Sequence, residues 1–324
     1  LIPRRALDGG GRVPSQVLLG ILSQESNLWQ ASGHNLSGIP GNPLVGNYYG
    51  NDVYDSDVTN DFTIDWSKSD CGYGIAQVTD GMRKGDARGA FQQRAIALDY
   101  ATNIAAGLDI LIQKWNQTRK AGVIHDDGNP AYLENWIFAI WAYNSGFHDK
   151  GAAGQPWGVG WVNNPANTLW KPSRLPFMRN PADAAHPQDW PYQEKVMGFA
   201  AYSISTPDGP GFRTAWWVDE DNRDLAKPPI GTFCKPDVNS CDLGQDYGPS
   251  NHCGHKSAAG VYDYECWWNK PVAYHACSQG YCGNELLRFN STYPEQPDGT
   301  NRPPKCDRGG LPSGALVVDD VASS

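Results

Sequence analysis

The segment NPAYLENWIFAIWAYN, residues 129–144, constrains the fold of this chain more than any other segment. Its spacing is helical, and its second half is apolar on nearly every side. A helix without a polar face must be surrounded by other parts of the protein. Residues 129–144 therefore predict a central buried helix. The apolar run at its core, residues 136–143, is too short to cross a membrane.

Further segments supply partners for that helix. Three of them show helical periodicity: residues 14–29, 89–117 and 192–204. Residues 31–72 and 147–190 are rich in Gly, Pro and polar residues, which indicates long loops. The sequence therefore predicts a mainly α-helical domain with long loop insertions over residues 1–204.

The character of the sequence changes after residue 204. Helical periodicity fades, and seven of the eight cysteines lie at positions 234–306, whereas Cys71 lies in the helical domain. An even number of cysteines in a loop-rich segment indicates disulfides and an oxidising compartment. If all pair within the chain, Cys71 must join one of the others. Zinc is a weaker alternative because no spacing is a C-x2-C pair. We predict a small disulfide-rich region over residues 205–324, linked to the helical domain.

Composition excludes some partners and favours others. The net charge of −9 argues against nucleic acid binding, which needs a basic surface, and we expect no membrane segment. The 13 Trp and 15 Tyr suit sugar rings, although most aromatic residues serve in cores. Residue 1 is Leu and no signal peptide is visible. We therefore expect a processed part of a longer chain. The cysteines favour a secreted, extracellular protein, and we expect it to be monomeric.

The first predicted helix carries a carboxylate on its apolar face. Glu25 lies three residues after Leu22 and three before Leu28. Taken alone, Glu25 is more simply a paired structural residue, since burying an unpaired charge is costly. A carboxyl group in an apolar pocket also has a raised pKa and can act as a general acid near neutral pH.

Four short segments bear on this choice: QES (24–26), GYGIAQV (72–78), NIAAGLDIL (103–111) and AIWAYNSG (139–146). Together they resemble the soluble lytic transglycosylases, bacterial murein-cleaving enzymes with a goose-type lysozyme fold. The pattern of that family runs E-S, G-L-M-Q, N-I-x-x-G and A-Y-N-x-G. YQEKVMGFA further resembles the Tyr-containing helix that closes that domain. The resemblance covers residues 10–204 and implies a lysozyme-like helical fold.

The resemblance also implies roles for single residues. Glu25 matches the family's catalytic acid, which favours the catalytic interpretation over the structural one. Ser26 would support the acid and the sugar, Gln77 would line the saccharide groove, and Tyr143 would bring its hydroxyl near the acid. The expected substrate-binding set is Ser26, Gln77, Tyr143, Asn144 and Tyr73, with Asn144 more simply a structural residue.

The implied reaction needs one carboxylate and no metal or other cofactor. The acid protonates the bridging oxygen between N-acetylmuramic acid and N-acetylglucosamine in peptidoglycan. The same carboxylate then removes the proton of the muramic C6 hydroxyl, which closes onto C1 and forms a 1,6-anhydromuramic end. Because one group acts as acid and then as base, its pKa should lie near the working pH.

Departures from the family pattern leave two alternatives. Ala76 stands where Met is usual, and the loops before and after are long. Asp65 and Asp70 are candidates for a second carboxylate, with which the enzyme would be a hydrolytic goose-type lysozyme. A loop Asp is more simply solvated, and the offset of Asp80 does not match that group of enzymes. The other alternative is an inactive wall-binding or structural module.

Overall fold

The computed structural model describes residues 1–31, 42–44, 59, 67, 69–148, 158–159, 175, 177–184, 186, 189–206 and 209–215. The described part is mainly helical, which confirms the predicted fold class at that level. Its α-helices are α1 (Ser15–Ser26), α2 (Ala90–Leu98), α3 (Tyr100–Lys120), α4 (Ile137–Ser145), α5 (Pro181–Ala184) and α6 (Tyr192–Tyr202). A 3-10 helix, Leu133–Trp136, leads into α4. Two hairpins pair β1 (Phe147–His148) with β2 (Gly158–Val159) and β3 (Ser205–Thr206) with β4 (Gly209–Pro210).

Helix α4 is the centre of the main hydrophobic core. Every residue from Ile137 to Ala142 is buried, and Trp136 before the helix is fully enclosed. Side chains of α1, α3 and α6 complete this core. A central buried helix is confirmed, and the physical reason is its lack of a polar face. It is shorter than the predicted 129–144, because the α-helix begins at Ile137 and follows a 3-10 turn.

Helix α1 is shorter than the predicted 14–29 because its end is fixed by backbone conformation. Asn27 and Leu28 both adopt left-handed conformations, with φ of 52° and 66°. Their amides donate to the carbonyls of Ser23 at 3.0 Å and Leu22 at 3.2 Å, which closes the last turn of the helix. The chain therefore turns sharply two residues after Glu25.

The predicted helical region 89–117 is two helices. Asp99 is extended, with φ −102°, and its carboxylate accepts the amide proton of Thr102 at 2.9 Å, so it caps α3. Helices α2 and α3 meet there at an angle of 105°. Among the described residues no single helix is long and apolar enough to cross a membrane, and only this bent pair reaches that length when joined.

The described chain continues beyond the predicted boundary at 205 and packs back onto α6. The amide of Phe212 donates to Ser203 Oγ at 3.2 Å, and the amide of Ala215 donates to the carbonyl of Ala200 at 2.9 Å. The rest of the predicted C-terminal region lies outside the described residues, as does Asp65.

Helices α1 and α6 approach closely because one contact position lacks a side chain. A Cβ atom at Gly20 would lie 2.5 Å from the carbonyl oxygen of Val196 and 3.2 Å from the Cβ of Ala200. The backbone oxygen cannot move without shifting α6. Glycine at this position therefore sets the distance between the two helices.

We expect Gly20→Ala to destabilise the protein, although alanine is intrinsically the better helix former. The overlap with Val196 should outweigh that preference and lower the free energy of unfolding by roughly 1–3 kcal/mol. Thermal unfolding followed by circular dichroism measures the change. Gly89→Ala is the control, because a Cβ there meets nothing within 4 Å. An unchanged or higher melting temperature for Gly20→Ala would contradict the packing argument.

Candidate active site

Glu25 lies at the contact between α1 and α6. It is the next-to-last residue of α1 and is half-buried. The hydroxyl of Tyr192, the first residue of α6, donates to Glu25 Oε1 at 2.5 Å. Tyr192 itself is buried, so the hydrogen bond is shielded from competing water. The carboxyl group is thereby held in one orientation while part of Glu25 remains accessible.

The surroundings of Glu25 place its titration near neutral pH. Burial raises the pKa of Glu25 from 4.5 to about 7, although the Tyr192 hydrogen bond lowers it. Among nearby charges, Asp70 raises the pKa further and Lys195 lowers it. A carboxyl group with this pKa is present in both its protonated and its ionised form around pH 7, as an acid-base catalyst requires.

Tyr143 lies near Glu25 but does not donate to it. Its hydroxyl donates to the carbonyl oxygen of Ala76 at 2.8 Å. Burial raises the pKa of Tyr143 well above its usual value, and the charges of Glu25 and Asp80 raise it further. The tyrosine that binds the acid is therefore Tyr192. Its only sequence signal was its place at the start of YQEKVMGFA.

Ser26 is not placed to bind a sugar, which corrects the expectation from the sequence. It is fully buried, and its hydroxyl lies 2.6 Å from the carbonyl oxygen of Ile75 and 3.0 Å from that of Leu22. The side chain therefore ties the end of α1 to the segment 72–78. Its effect on Glu25 is exerted through the position of the helix end.

Gln77 links the segment 72–78 to Pro43. Its Nε2 donates to the carbonyls of Pro43 and Gly74, both at 2.8 Å. Its backbone is left-handed, with φ 46°, and its buried Oε1 has no hydrogen-bond partner among the described residues. The amide group is held rigidly with one acceptor oxygen uncommitted within that part of the chain.

The other predicted site residues are spread around this segment. Tyr73 is half-buried and pairs with Val78 through two backbone hydrogen bonds, and Asn144 is exposed in the last turn of α4. Asp70 Oδ1 accepts the amide proton of Gly72 at 2.8 Å, and its charge acts on Glu25. Of the two candidate second carboxylates, Asp70 is thus brought to the acid.

Asn103 fixes the shape of the segment 72–78. Its Oδ1 accepts the amide proton of Ala76 at 2.8 Å, and its Nδ2 donates to the carbonyls of Tyr73 and Ile96, both at 2.7 Å. Asn103 is fully buried with all three bonds formed. A Cβ at Gly74, where φ is 73°, would lie 2.3 Å from Asn103 Nδ2. Only glycine fits there.

Cys71 is disulfide-bonded and fully buried beside this segment. All other cysteines of the chain lie outside the described residues, so its partner does too. A sulfur in a disulfide is neither a nucleophile nor a metal ligand. Within the described residues, no group of three or more His, Cys, Asp or Glu side chains is arranged to hold a metal ion.

Lys195, which the sequence analysis did not single out, also belongs to the site. It lies three residues after Tyr192 on α6 and is half-buried. Burial lowers the pKa of Lys195 to about 8, while the charge of Glu25 raises it. The charge of Glu25 thus stabilises the positively charged form of Lys195 beside it.

Neither a family model, nor a curated protein, nor a solved structure matches this chain.

The raised pKa of Glu25 predicts how stability depends on pH. Between pH 4.5, the ordinary pKa, and about 7, the folded protein binds a proton at Glu25 that the unfolded chain releases. Stability contributed by this group is therefore complete below that window and is lost as the pH rises through it. Glu25→Gln, which does not titrate, should gain stability relative to the parent from pH 4.5 to 7 and then level off. Melting temperatures of both proteins from pH 4 to 9 measure this, and a constant difference would contradict it.

Removing the Tyr192 hydroxyl should raise the pKa of Glu25 above 7, because the hydrogen bond favours the ionised form. The measurement is the chemical shift of the 13C-labelled Glu25 carboxyl group against pH in Tyr192→Phe and in the parent. Tyr202→Phe, at the other end of α6, is the control and should leave the titration unchanged. A lowered pKa in Tyr192→Phe would show that the hydroxyl does not stabilise the carboxylate.

Proposed function

We propose that this chain is a lytic transglycosylase that resembles the soluble murein-cleaving family and has a lysozyme-like fold. The observation that carries the proposal is the Glu25–Tyr192 pair: the carboxyl group of a half-buried Glu with a pKa of about 7, oriented by a buried hydroxyl. The substrate is the β-1,4 bond between N-acetylmuramic acid and N-acetylglucosamine in peptidoglycan. The Cys-rich residues 205–324 extend this domain.

In the first step, protonated Glu25 donates its proton to the bridging oxygen of the glycan, the bond between that oxygen and C1 breaks, and the N-acetylglucosamine side leaves as an alcohol. The N-acetyl group of the substrate stabilises the developing positive charge at C1. Tyr192 donates its hydrogen bond to the carboxylate that forms, so the ionised product of proton transfer is stabilised in place. The carboxylate then takes the proton of the muramic C6 hydroxyl, whose oxygen bonds to C1. Glu25 ends the cycle protonated, and no water is consumed.

The contacts among the motif segments support the lysozyme-like fold. The amide of Ala76 donates to Asn103 of α3, its carbonyl accepts from Tyr143 of α4, and the carbonyl of Ile75 accepts from Ser26 of α1. The four segments on which the resemblance depends therefore meet at two consecutive peptide groups. Chance matches scattered along a chain would have no reason to converge.

The substrate implies a location outside the cytoplasm. Peptidoglycan lies beyond the cell membrane, and the disulfide at Cys71 fits an oxidising compartment. The protein acts on glycan strands without a cofactor or a nucleic acid partner in this proposal. We infer a secreted or wall-associated enzyme that works as a monomer.

Asp70 favours a second candidate function, hydrolysis. Its charge acts on Glu25, and its Oδ1 is oriented by the Gly72 amide at 2.8 Å. A second carboxylate near the acid can activate a water molecule, as in glycosidases that use two carboxylates. The product would then carry a reducing end in place of an anhydro end.

One digest distinguishes these functions. Purified peptidoglycan incubated with the protein should release fragments with 1,6-anhydromuramic ends, identified by mass spectrometry. Glu25→Gln should lower the rate by roughly 10²–10⁴-fold, since it removes the only acid of the mechanism. Glu134→Gln, in the 3-10 helix before α4, is the matched control and should retain the rate. Fragments with reducing ends would show that the protein is a hydrolase and not a transglycosylase. If no fragments are released, both proposed functions are wrong.

A further inference from the structure

Trp29 is a large, exposed aromatic side chain that follows Glu25 closely in the sequence. Its exposed fraction is 52%, and it follows Glu25 by four residues. A single exposed apolar residue is ordinary on a protein surface. Trp29 differs because the backbone on both sides of it is fixed to the segments that surround Glu25.

The turn after α1 points neighbouring side chains in opposite directions. The left-handed residues Asn27 and Leu28 place Leu28 against the apolar cluster that includes Tyr73 and Tyr143. The amide of Trp29 then donates to the carbonyl of Ser26 at 3.0 Å, while the indole stays exposed. Consecutive left-handed conformations are unfavourable for residues with a side chain, and such strain is concentrated at functional sites.

The residue after Trp29 is held as firmly. Gln30 Oε1 accepts the amide proton of Ile75 at 2.9 Å, and Gln30 Nε2 donates to the carbonyl of Ala97 at 2.8 Å. The side chain of Gln30 therefore joins the segment 72–78 to α2 and fixes the backbone next to Trp29. Leu98, the next residue of α2, and Tyr100 are also exposed, by 42% and 63%.

We propose that the Trp29 indole is a stacking platform for a sugar ring next to the bond that Glu25 cleaves. A pyranose ring has an apolar face of C–H groups that matches a flat aromatic ring, and its hydroxyl groups remain solvated at the edges. Because the backbone around Trp29 is already fixed, stacking orders little besides two side-chain torsions. The net charge of −9 gives no long-range attraction to an anionic glycan, so local contacts must hold it.

The identity of the sugar rests on the proposed function, so the test separates binding from cleavage. A soluble tetrasaccharide of alternating N-acetylglucosamine and N-acetylmuramic acid is titrated into the Glu25→Gln protein by calorimetry. Adding Trp29→Ala should weaken binding roughly tenfold, a loss of about 1.4 kcal/mol. Trp29→Phe should keep most of the affinity, because it keeps an aromatic face. Tyr132→Ala is the control, since Tyr132 is 44% exposed and precedes the opposite end of α4.

Steady-state cleavage gives the second measurement. Trp29→Ala with Glu25 intact should raise KM and leave kcat nearly unchanged, because the acid and its hydrogen bond to Tyr192 remain. Melting temperatures check that the variant folds. Equal affinity in the proteins with and without Trp29, or no binding of the tetrasaccharide at all, overturns the platform. If the parent protein cleaves no peptidoglycan but Trp29→Ala still weakens binding of the tetrasaccharide, the stacking role of Trp29 is supported and the proposed reaction is wrong.

Discussion

The hydrogen bond from Tyr192 to Glu25 is the interaction on which the candidate site depends. It joins α1 to α6, and Gly20 lets those two helices approach closely. The packing of α6 on α1 therefore affects the chemistry of Glu25. A shift of α6 would lengthen the 2.5 Å hydrogen bond from Tyr192 and change the proton affinity of the Glu25 carboxyl group. The core around α4 serves the site by keeping both helices in register.

The segment 72–78 is built around its backbone. The peptide groups of Ile75 and Ala76 form hydrogen bonds with side chains of three different helices: the two carbonyls accept from Ser26 and Tyr143, and the Ala76 amide donates to Asn103. Asn103 completes all of its hydrogen bonds in the interior, which makes the arrangement costly to disturb. Short motifs that are weak signals one by one can therefore specify one rigid segment when all of its hydrogen-bond partners are present.

Periodicity in the sequence was sufficient to predict the regions of the long helices and the burial of α4, because both follow from where apolar residues recur. It missed the short helix α5, which lies in the region 147–190 that was predicted to be a loop. It could not predict the break at Asp99 or the end of α1 at Asn27, since a side-chain cap and two left-handed residues decide them locally. Glu25 was identified from its neighbours in sequence. Its partner Tyr192 lies 167 residues away, and only the packing of α1 on α6 brings the two together. The burial of Ser26 could not be predicted from the sequence either, because no sequence pattern distinguishes an exposed serine from one that packs inside the protein.

The combined charge of the Glu25 and Lys195 side chains changes with pH. With pKa values of about 7 for the carboxyl group and about 8 for the amine, the pair is cationic in mildly acidic surroundings and anionic in alkaline ones. Between these limits the two charges cancel. Asp70, whose negative charge also acts on Glu25, adds to this pair, so under the proposed function a polymer that carries carboxylates meets the least repulsion on the acidic side of neutrality. Local acidification of the medium would thus act on capture of the polymer as well as on the chemistry.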